Sequence, residues 1–363
     1  MAGQGVNGRN GQGDAARLLL AAARERFAVA ATDLLLPDAA RLTEWQRLTA
    51  AALLGRLIAC IEDHLRTRLA THFAAEEGVA AALASAHVPI AAPILERAGA
   101  LNDSELSAAL VRRVEEHRFW TLHRPAGLDD LLFALARDGD EEVAGEAMAL
   151  VIARSRRFDR FEEPVLTDTD LPADLQHRLV WLVAAALRHY LVQHHRLSGV
   201  DAAIEAATAD LLSRHDEGEG LEATALRLVR RLDGSGRLDG DLLARTIESG
   251  LLPLFLAGVA LRCGLDPAAA WEVLADPQGR GPALLARAAG LDRREAARIL
   301  LALNAQGPIF SGAEGDATEA QLDLFDTLDQ ASADEVLRLW RVHPAYRASV
   351  ARVSTRARPG AGA

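Results

Sequence analysis

The segments Gly264-Leu265-Asp266 and Gly290-Leu291-Asp292 are two copies of one short motif, spaced 26 residues apart. Apolar residues follow each aspartate at four and eight positions, and a looser copy begins at Leu238-Asp239. An aspartate before a helix accepts a hydrogen bond from a backbone N–H of the first turn, so each copy predicts an N-cap. Residues four and eight positions further on lie on one side of that helix. The motif therefore predicts short helices that repeat along the chain as stacked hairpins.

Composition extends the helical prediction to the whole chain. Half of the 363 residues are apolar but only 4% are aromatic, and alanine, the best helix former, carries much of the apolar half. The sequence lacks stretches rich in valine, isoleucine, threonine and tyrosine, which are typical of strands. We therefore predict an all-α protein, built as a HEAT-like array of short helical hairpins with a pair of long helices at the N-terminus.

The order of turns and apolar stripes predicts how the chain is organised. Pro37 ends a first apolar stretch, and a second long helix is predicted at about residues 38–73. The predicted segments are a disordered tail at 1–13, an amphipathic helical pair at 14–74, HEAT-like hairpins at 75–155, a linker at 156–171, a C-terminal helical repeat subdomain at 172–346 and a disordered tail at 347–363. The helical pair is suited to capping the array or to forming a homodimer.

The charged residues argue against several classes of protein. All 40 basic residues are arginine, for which coding bias is the simplest explanation. Without lysine there is no Walker-A lysine and no lysine Schiff base, which disfavours P-loop NTPases, protein kinases and pyridoxal-phosphate enzymes. A net charge of −11 disfavours nucleic acid as a partner. No GxSxG motif or plausible Ser/His/Asp order is present, so we expect a non-enzymatic protein without a cofactor.

Cysteine, histidine and apolar patterns bear on metals and on the membrane. Cys60 and Cys263 stand in apolar helical stretches and form no CxxC pair, as expected of buried thiols in a reducing cytoplasm. The four histidines between residues 177 and 195 lack the spacing of a zinc helix, and the loop 233–239 lacks the outer acidic ligands of an EF-hand. The longest nearly uninterrupted apolar run, 251–261, is shorter than the roughly 20 residues that span a bilayer. We expect a cytoplasmic protein without a metal or a membrane span.

One cluster of basic side chains is a candidate binding site. Its members are Arg154, Arg156, Arg157 and Arg160. Guanidinium groups bind phosphates and carboxylates through paired hydrogen bonds, so this cluster predicts a site for an anion or an acidic partner. The alternative is structural. Cations are favourable at the C-terminal end of a helix such as 141–155, and acidic residues between 159 and 163 are available as partners.

A second candidate residue is His64. The segment Glu62–Leu69 resembles the phospho-acceptor box of sensor histidine kinases, but aligning its Leu-Arg-Thr portion places Asp63, not His64, at the acceptor position. No glycine-rich ATP-binding segment follows. An exposed histidine on a long helical pair would still suit a phosphotransfer module, and a solvated helix face is the alternative.

Several stretches together resemble a known bacterial family. These stretches are Pro89–Leu95, Leu101–Leu106, Leu171–Leu175 continuing through Ala184–Arg188, and Gly250–Leu303. They are similar to the family catalogued as domain of unknown function 2336, over about residues 75–305. The resemblance implies a HEAT-like helical fold and brings no established activity with it.

These observations favour a protein that binds rather than one that reacts. Stacked hairpins expose a long face whose residues can vary while the core is kept, so we expect an interaction scaffold or regulatory adaptor with another protein as its partner. One alternative is a regulator that binds an anionic small molecule at Arg154–Arg160. Another is a phosphotransfer or dimerisation module that acts through His64.

Overall fold

A computed structural model describes residues 42–85, 88–123, 131–162, 171–276, 278–305, 310, 317–343 and 346–347. Within these ranges all regular structure is helical and no strand occurs, which confirms the all-α prediction. Most of the two predicted tails and the first half of the predicted helical pair lie outside the described residues. Of the predicted linker at 156–171, residues 156–158 belong to a helix and 163–170 are outside the description.

The helices follow one another with short connections. Their bounds are α1 Glu44–His72, α2 Glu77–Ala84, α3 Ala91–Arg97, α4 Ser104–Leu122, α5 Leu131–Leu135, α6 Glu141–Phe158, α7 Ala173–His195, α8 Val200–Leu212, α9 Leu221–Gly234, α10 Gly240–Glu248, α11 Leu252–Cys263, α12 Pro267–Leu274, α13 Gly281–Ala288, α14 Arg293–Asn304, α15 Ala317–Thr327 and α16 Gln330–Leu337. A short 3-10 helix, Glu217–Glu219, precedes α9.

The described chain forms two compact units. Unit 1 contains residues 118–150 and those from 224 onward, and unit 2 contains residues 42–117 and 151–223. Helices α4, α6 and α9 each have residues in both units. Each unit has its own apolar core.

In unit 2, α1 is the helix around which the others pack. It contacts α2, α3, α7 and α8. Thr43 and Gln46 form a capping box at its start, in which the Thr43 hydroxyl accepts from the Gln46 N–H at 3.2 Å. Leu53, Leu57 and Ile61 are spaced by four residues and fully buried, so this side of α1 faces the core.

The far side of α1 is also apolar, but it is exposed. Trp45, Leu48, Ala52, Gly55 and Ala59 recur at spacings of three and four residues, and all of them are exposed. Among the residues that the structure describes, none has an atom within 4 Å of a Cβ added at Gly55, so none of them covers the stripe at that point. The spacing is that of a seam between two helices. We call these five residues the α1 stripe.

A buried ion pair fixes the segment after α2. The guanidinium of Arg66 donates to the carbonyl oxygens of Leu83 at 2.8 Å and of Val88 at 3.1 Å. It also pairs with Glu62 at 2.9 Å. The Glu62 carboxylate in turn accepts from the backbone N–H groups of Ile90 and Ala91, at the start of α3. Arg66 and Glu62 are both buried, so α1 holds the backbone at Leu83, Val88, Ile90 and Ala91 through two charged side chains.

In unit 1, the three aspartates of the repeated motif start helices as predicted. Asp239 accepts from the Leu242 N–H at 2.7 Å, Asp266 from Ala269 at 2.6 Å and Asp292 from Glu295 at 2.8 Å. Gly264 and Gly290 have positive φ and end the preceding helices, which is the backbone state that glycine adopts readily. The motif is therefore confirmed as a helix end, a turn and an N-cap.

The packing of unit 1 centres on α13. This helix contacts α11, α12, α14, α15 and α16. At Gly281, the first residue of α13, an added Cβ would overlap the carbonyl oxygen of Val273 and lie 2.7 Å from the carbonyl carbon. The backbones of α12 and α13 are therefore in direct contact at this point, which only glycine allows. In addition, α10 packs against α14, which joins the first and third copies of the motif.

Two further features of the helices are relevant below. Trp120, Trp271 and Trp340 are buried in unit 1, whereas Trp45 and Trp181 of unit 2 are 45% and 42% exposed. Among the described helices, no single one has the length and apolar composition to cross a membrane, and only α11 and α12 together, bent by 102°, pass that test. Most residues of both helices are buried in the unit 1 core.

Candidate functional site

Unit 2 contains a cavity of about 310 Å³. Ala153, Arg156 and Arg157, at the end of α6, form one part of its lining. A second part is the segment 215–223, which carries the 3-10 helix and the first turn of α9. Leu171 and Pro172, just before α7, complete it. The volume is at the lower end of the range of about 300–1,000 Å³ that is usual for ligand pockets.

A chain of ion pairs connects the two charged parts of this lining. Arg157 donates to Glu116 at 2.6 Å, and Arg112 donates to the other carboxylate oxygen of Glu116 at 2.8 Å. Arg112 also pairs with Glu222 at 2.8 Å. The order is thus Arg157, Glu116, Arg112 and Glu222, in which both ends line the cavity and both central residues come from α4. We call these four residues the ion chain.

The central members of the ion chain are ionised despite their burial. Burial raises the pKa of Glu116, but the guanidinium groups of Arg112 and Arg157 outweigh that effect, so its pKa lies below the ordinary 4.5. Burial lowers the pKa of Arg112, but the carboxylates of Glu222 and Glu116 outweigh it, so the net shift is upward. Glu116 is only 2% exposed, and its charge is therefore balanced inside the protein rather than by water.

Acidic residues dominate the second part of the lining. Asp216 accepts from the Gly218 N–H at 2.8 Å, and Glu217 accepts from the Ala173 N–H at the start of α7. Glu219 and Glu222 also line the cavity. The lining contains two arginines and four carboxylates, so it carries two formal negative charges. The Nε2 atom of His215, another lining residue, is buried and has no hydrogen-bond partner among the described residues.

The structure separates the four predicted arginines. Arg156 and Arg157 line the cavity, whereas Arg154 and Arg160 do not belong to its lining. Arg157 is 6% exposed and belongs to the ion chain, and the other three are half-buried or exposed. All four make further contacts. Of the pairs that involve this region, Arg157 pairs with Glu116 at 2.6 Å and Glu162 pairs with Arg56 at 2.5 Å.

The aromatic residues next to the cluster belong to the core. Phe158 and Phe161 are both buried. The ring of His117 stacks on Phe161, with centroids 3.9 Å apart and planes inclined by 9°. The Arg56 guanidinium lies 5.7 Å from the centre of the same ring. These rings fix the end of α6 and hence the position of Arg156 and Arg157.

His64 lies on α1 and is half-buried, beside charged groups of α1 and α8. Asp210 pairs with Arg68 at 2.8 Å and with Arg214 at 2.9 Å. Burial, and then the charges of Arg214 and Arg68, lower the pKa of His64 below 6.5. Its Nε2 atom is buried and has no hydrogen-bond partner among the described residues. Phosphotransfer through His64 stays a prediction.

Among the described residues, no group of three or more histidine, cysteine and acidic side chains is arranged to hold a metal ion. Two of the clustered histidines, His194 and His195, lie against the ring of Tyr190. Asp239, in the segment similar to an EF-hand, is the N-cap of α10.

Fold and site together define an all-α protein with a small charged cavity whose lining includes both ends of the ion chain. The chain matches the family model described as an uncharacterised protein conserved in bacteria (DUF2336) over residues 90–338, and it belongs to that family. This match confirms the resemblance seen in the sequence. All four residues of the ion chain lie within the matched range, whereas α1 precedes it. No curated protein and no solved structure matches the chain.

Proposed function

We propose that this protein is a non-enzymatic regulatory adaptor of the bacterial cytoplasm, and that its unit 2 binds a small charged ligand. The observation that carries the proposal is the cavity of about 310 Å³ with its ion chain. Charged groups that are preorganised by buried pairing bind a ligand without the cost of ordering flexible side chains. The two free cysteines, neither of which is in a disulfide, support the proposed compartment.

The ion chain supplies the regulatory part of the proposal. A ligand that contacts Arg157 or Glu222 competes for a charge that otherwise pairs with α4. Because Glu116 and Arg112 pair with each other and each also pairs with one end of the ion chain, a change at one end alters the balance of charge at the other. Ligand binding is thereby coupled to the packing of α4 inside unit 2. The charged groups of the ion chain pair with one another. This pairing supports a role in binding a ligand rather than in transferring a proton.

The adaptor proposal includes a HEAT-like character for unit 1. Its support is the repeated order of helix, glycine turn, aspartate cap and helix from α10 to α14. In a linear array each hairpin contacts only its neighbours in sequence. Here α10 also contacts α14, and α13 contacts five other helices. The array that we propose is therefore more compact than a linear one.

A screen of charged metabolites by thermal unfolding tests the proposed ligand site. We expect at least one small charged compound to raise the melting temperature of the wild-type protein, because it binds the folded state only. In the Ala223→Phe variant, whose added ring lies at the cavity, the same compound should have no effect. Ala202→Phe, at an exposed position of α8, is the matched control and should respond like the wild type. Failure of every compound to stabilise the wild type would contradict the proposal.

A second candidate function is self-association, which the α1 stripe favours. Its large residues, Trp45 and Leu48, lie at one end and its small residues, Gly55 and Ala59, at the other. Two copies of α1 that cross in antiparallel orientation about Ala52 would place large residues of one copy against small residues of the other. Such a two-fold contact is isologous and closes on itself. The occupant that we propose for the stripe is therefore a second copy of this chain.

Sedimentation analysis of a stripe variant tests self-association. We expect a wild-type dimer and a monomeric Gly55→Leu variant, because the new side chain occupies the groove that the partner's Leu48 requires. The change should leave unit 2 folded, since no atom of the described part of the chain lies within 4 Å of the added Cβ. Gly145→Leu, an exposed glycine of α6 with equally open surroundings, should leave the dimer intact. A wild-type monomer at all concentrations would exclude this function.

A further inference from the structure

His64 lies where two helices of unit 2 meet. Helices α1 and α8 contact each other and bury apolar residues in the same core. His64 is half-buried on α1, and two of the charged groups beside it are Asp210 of α8 and Arg214, just after α8. The histidine ring is therefore part of the contact between these two helices.

An ion-pair network joins the two helices next to this ring. The Asp210 carboxylate pairs with Arg68 of α1 at 2.8 Å and with Arg214 at 2.9 Å. Asp63 of α1 is the fourth charged group of the described residues that acts on His64. Two carboxylates and two guanidinium groups balance one another, so a proton on His64 adds a positive charge without a counterpart.

The position of the ring suits a neutral imidazole. Its Nε2 atom is buried and has no hydrogen-bond partner among the described residues. A neutral ring leaves one nitrogen without a hydrogen, whereas an imidazolium carries an N–H on both. A buried, charged N–H without an acceptor is costly. Burial, and then the charges of Arg214 and Arg68, accordingly hold the pKa of His64 below its ordinary 6.5, against the opposing effect of Asp210 and Asp63.

We propose that His64 makes the contact between α1 and α8 sensitive to pH, so that mild acidification loosens α8. At neutral pH the uncharged ring remains in the contact. Once protonated, the ring is solvated better by water than by its buried surroundings, so proton uptake favours a local opening of α8 from α1. None of the residues involved lines the cavity, so this inference goes beyond the proposed ligand site.

The direction of the pH effect follows from proton linkage. The pKa of His64 is below 6.5 while the contact is closed, and it returns to this ordinary value when the ring is hydrated. The open state therefore binds the proton more tightly. The contribution of His64 to the closed contact is complete above pH 6.5 and is lost as the pH falls through the lower pKa of the folded protein.

Hydrogen exchange of the full chain, measured by mass spectrometry above and below pH 6.5, tests the loosening of α8. After correction for the intrinsic pH dependence of exchange, protection of the α8 amides should fall in the wild type as the pH drops. The fall should be smaller in His64→Gln, whose side chain takes up no proton in this range. His189→Gln, at an exposed position of α7, is the matched control and should follow the wild type. The same pH dependence in the wild type and in His64→Gln would overturn the proposal, as would protection that rises on acidification.

If His64→Gln does not fold, proton NMR of the His64 ring in the wild type gives an independent measurement. We expect a titration midpoint below pH 6.5. Arg214→Gln should shift this midpoint upward, because the substitution removes a neighbouring positive charge. Arg230→Gln, at an exposed position of α9, should leave it unchanged. A wild-type midpoint above pH 6.5, or one that Arg214→Gln does not move, would also overturn the proposal.

Discussion

The Glu116→Gln variant is expected to lose about 3–5 kcal/mol of the free energy of unfolding. Glutamine keeps the size of the side chain but removes the charge that Arg112 and Arg157 share at 2.8 and 2.6 Å. Two guanidinium groups then remain close together, and Arg157 is only 6% exposed. Urea unfolding followed by far-ultraviolet circular dichroism at pH 7 measures the loss. Glu205→Gln, an exposed substitution of the same kind in unit 2, should change stability by less than about 0.5 kcal/mol.

Acidification should reduce the difference between the wild type and Glu116→Gln. The pKa of Glu116 is lower in the folded protein than its ordinary value of 4.5, which applies to the unfolded chain. Its contribution to stability is therefore complete above pH 4.5 and is lost as the pH falls through the lower folded pKa. The gap between the two proteins should be widest near neutral pH and narrow below pH 4.5. A gap that widens on acidification would show that Glu116 is not stabilised as a carboxylate.

The Arg66→Met variant is expected to cost a similar amount, about 3–5 kcal/mol. Methionine fills much of the space but leaves Glu62 as a buried charge without its cation, and leaves the carbonyl oxygens of Leu83 and Val88 without their donor. Hydrogen exchange should show the loss of protection first at Ile90 and Ala91, whose N–H groups donate to Glu62.

The matched control for Arg66 stands two residues further along the same helix. Arg68 pairs with Asp210, but both side chains are more than two-fifths exposed. Arg68→Met should therefore cost only about 0–1 kcal/mol. Equal losses for the two methionine variants would mean that burial does not determine the role of Arg66.

Local features of this fold could be predicted from the sequence. The aspartates at 239, 266 and 292 cap helices because the signal requires only the residues of the first turn. The long helix predicted at 38–73 is observed as Glu44–His72 for a similar reason, since it rests on residues close in sequence. The packing of α10 against α14 could not be predicted, because nothing in a local pattern shows which helices meet.

The candidate site shows the same division between local and distant information. The clustering of basic residues at the end of α6 predicts Arg156 and Arg157 as site residues, and both line the cavity. Glu116 was missed because its partner Arg157 is 41 residues away. The spacing of Arg112 and Glu116 indicates an ion pair on one helix, but it does not show that the pair is buried. The acidic part of the lining could not be predicted, because the sequence of residues 215–223 is typical of any polar turn before a helix.

The placement of the tryptophans determines which part of the protein intrinsic fluorescence reports on. Indole emission shifts to longer wavelength when a buried ring enters water, and the three buried indoles belong to unit 1. Trp45 and Trp181 are already exposed to solvent in the folded state, so unfolding of unit 2 changes their emission wavelength little. Intrinsic fluorescence is thus a selective reporter of unit 1. A denaturation transition that begins at a lower denaturant concentration by circular dichroism than by fluorescence would show that unit 2 unfolds before unit 1.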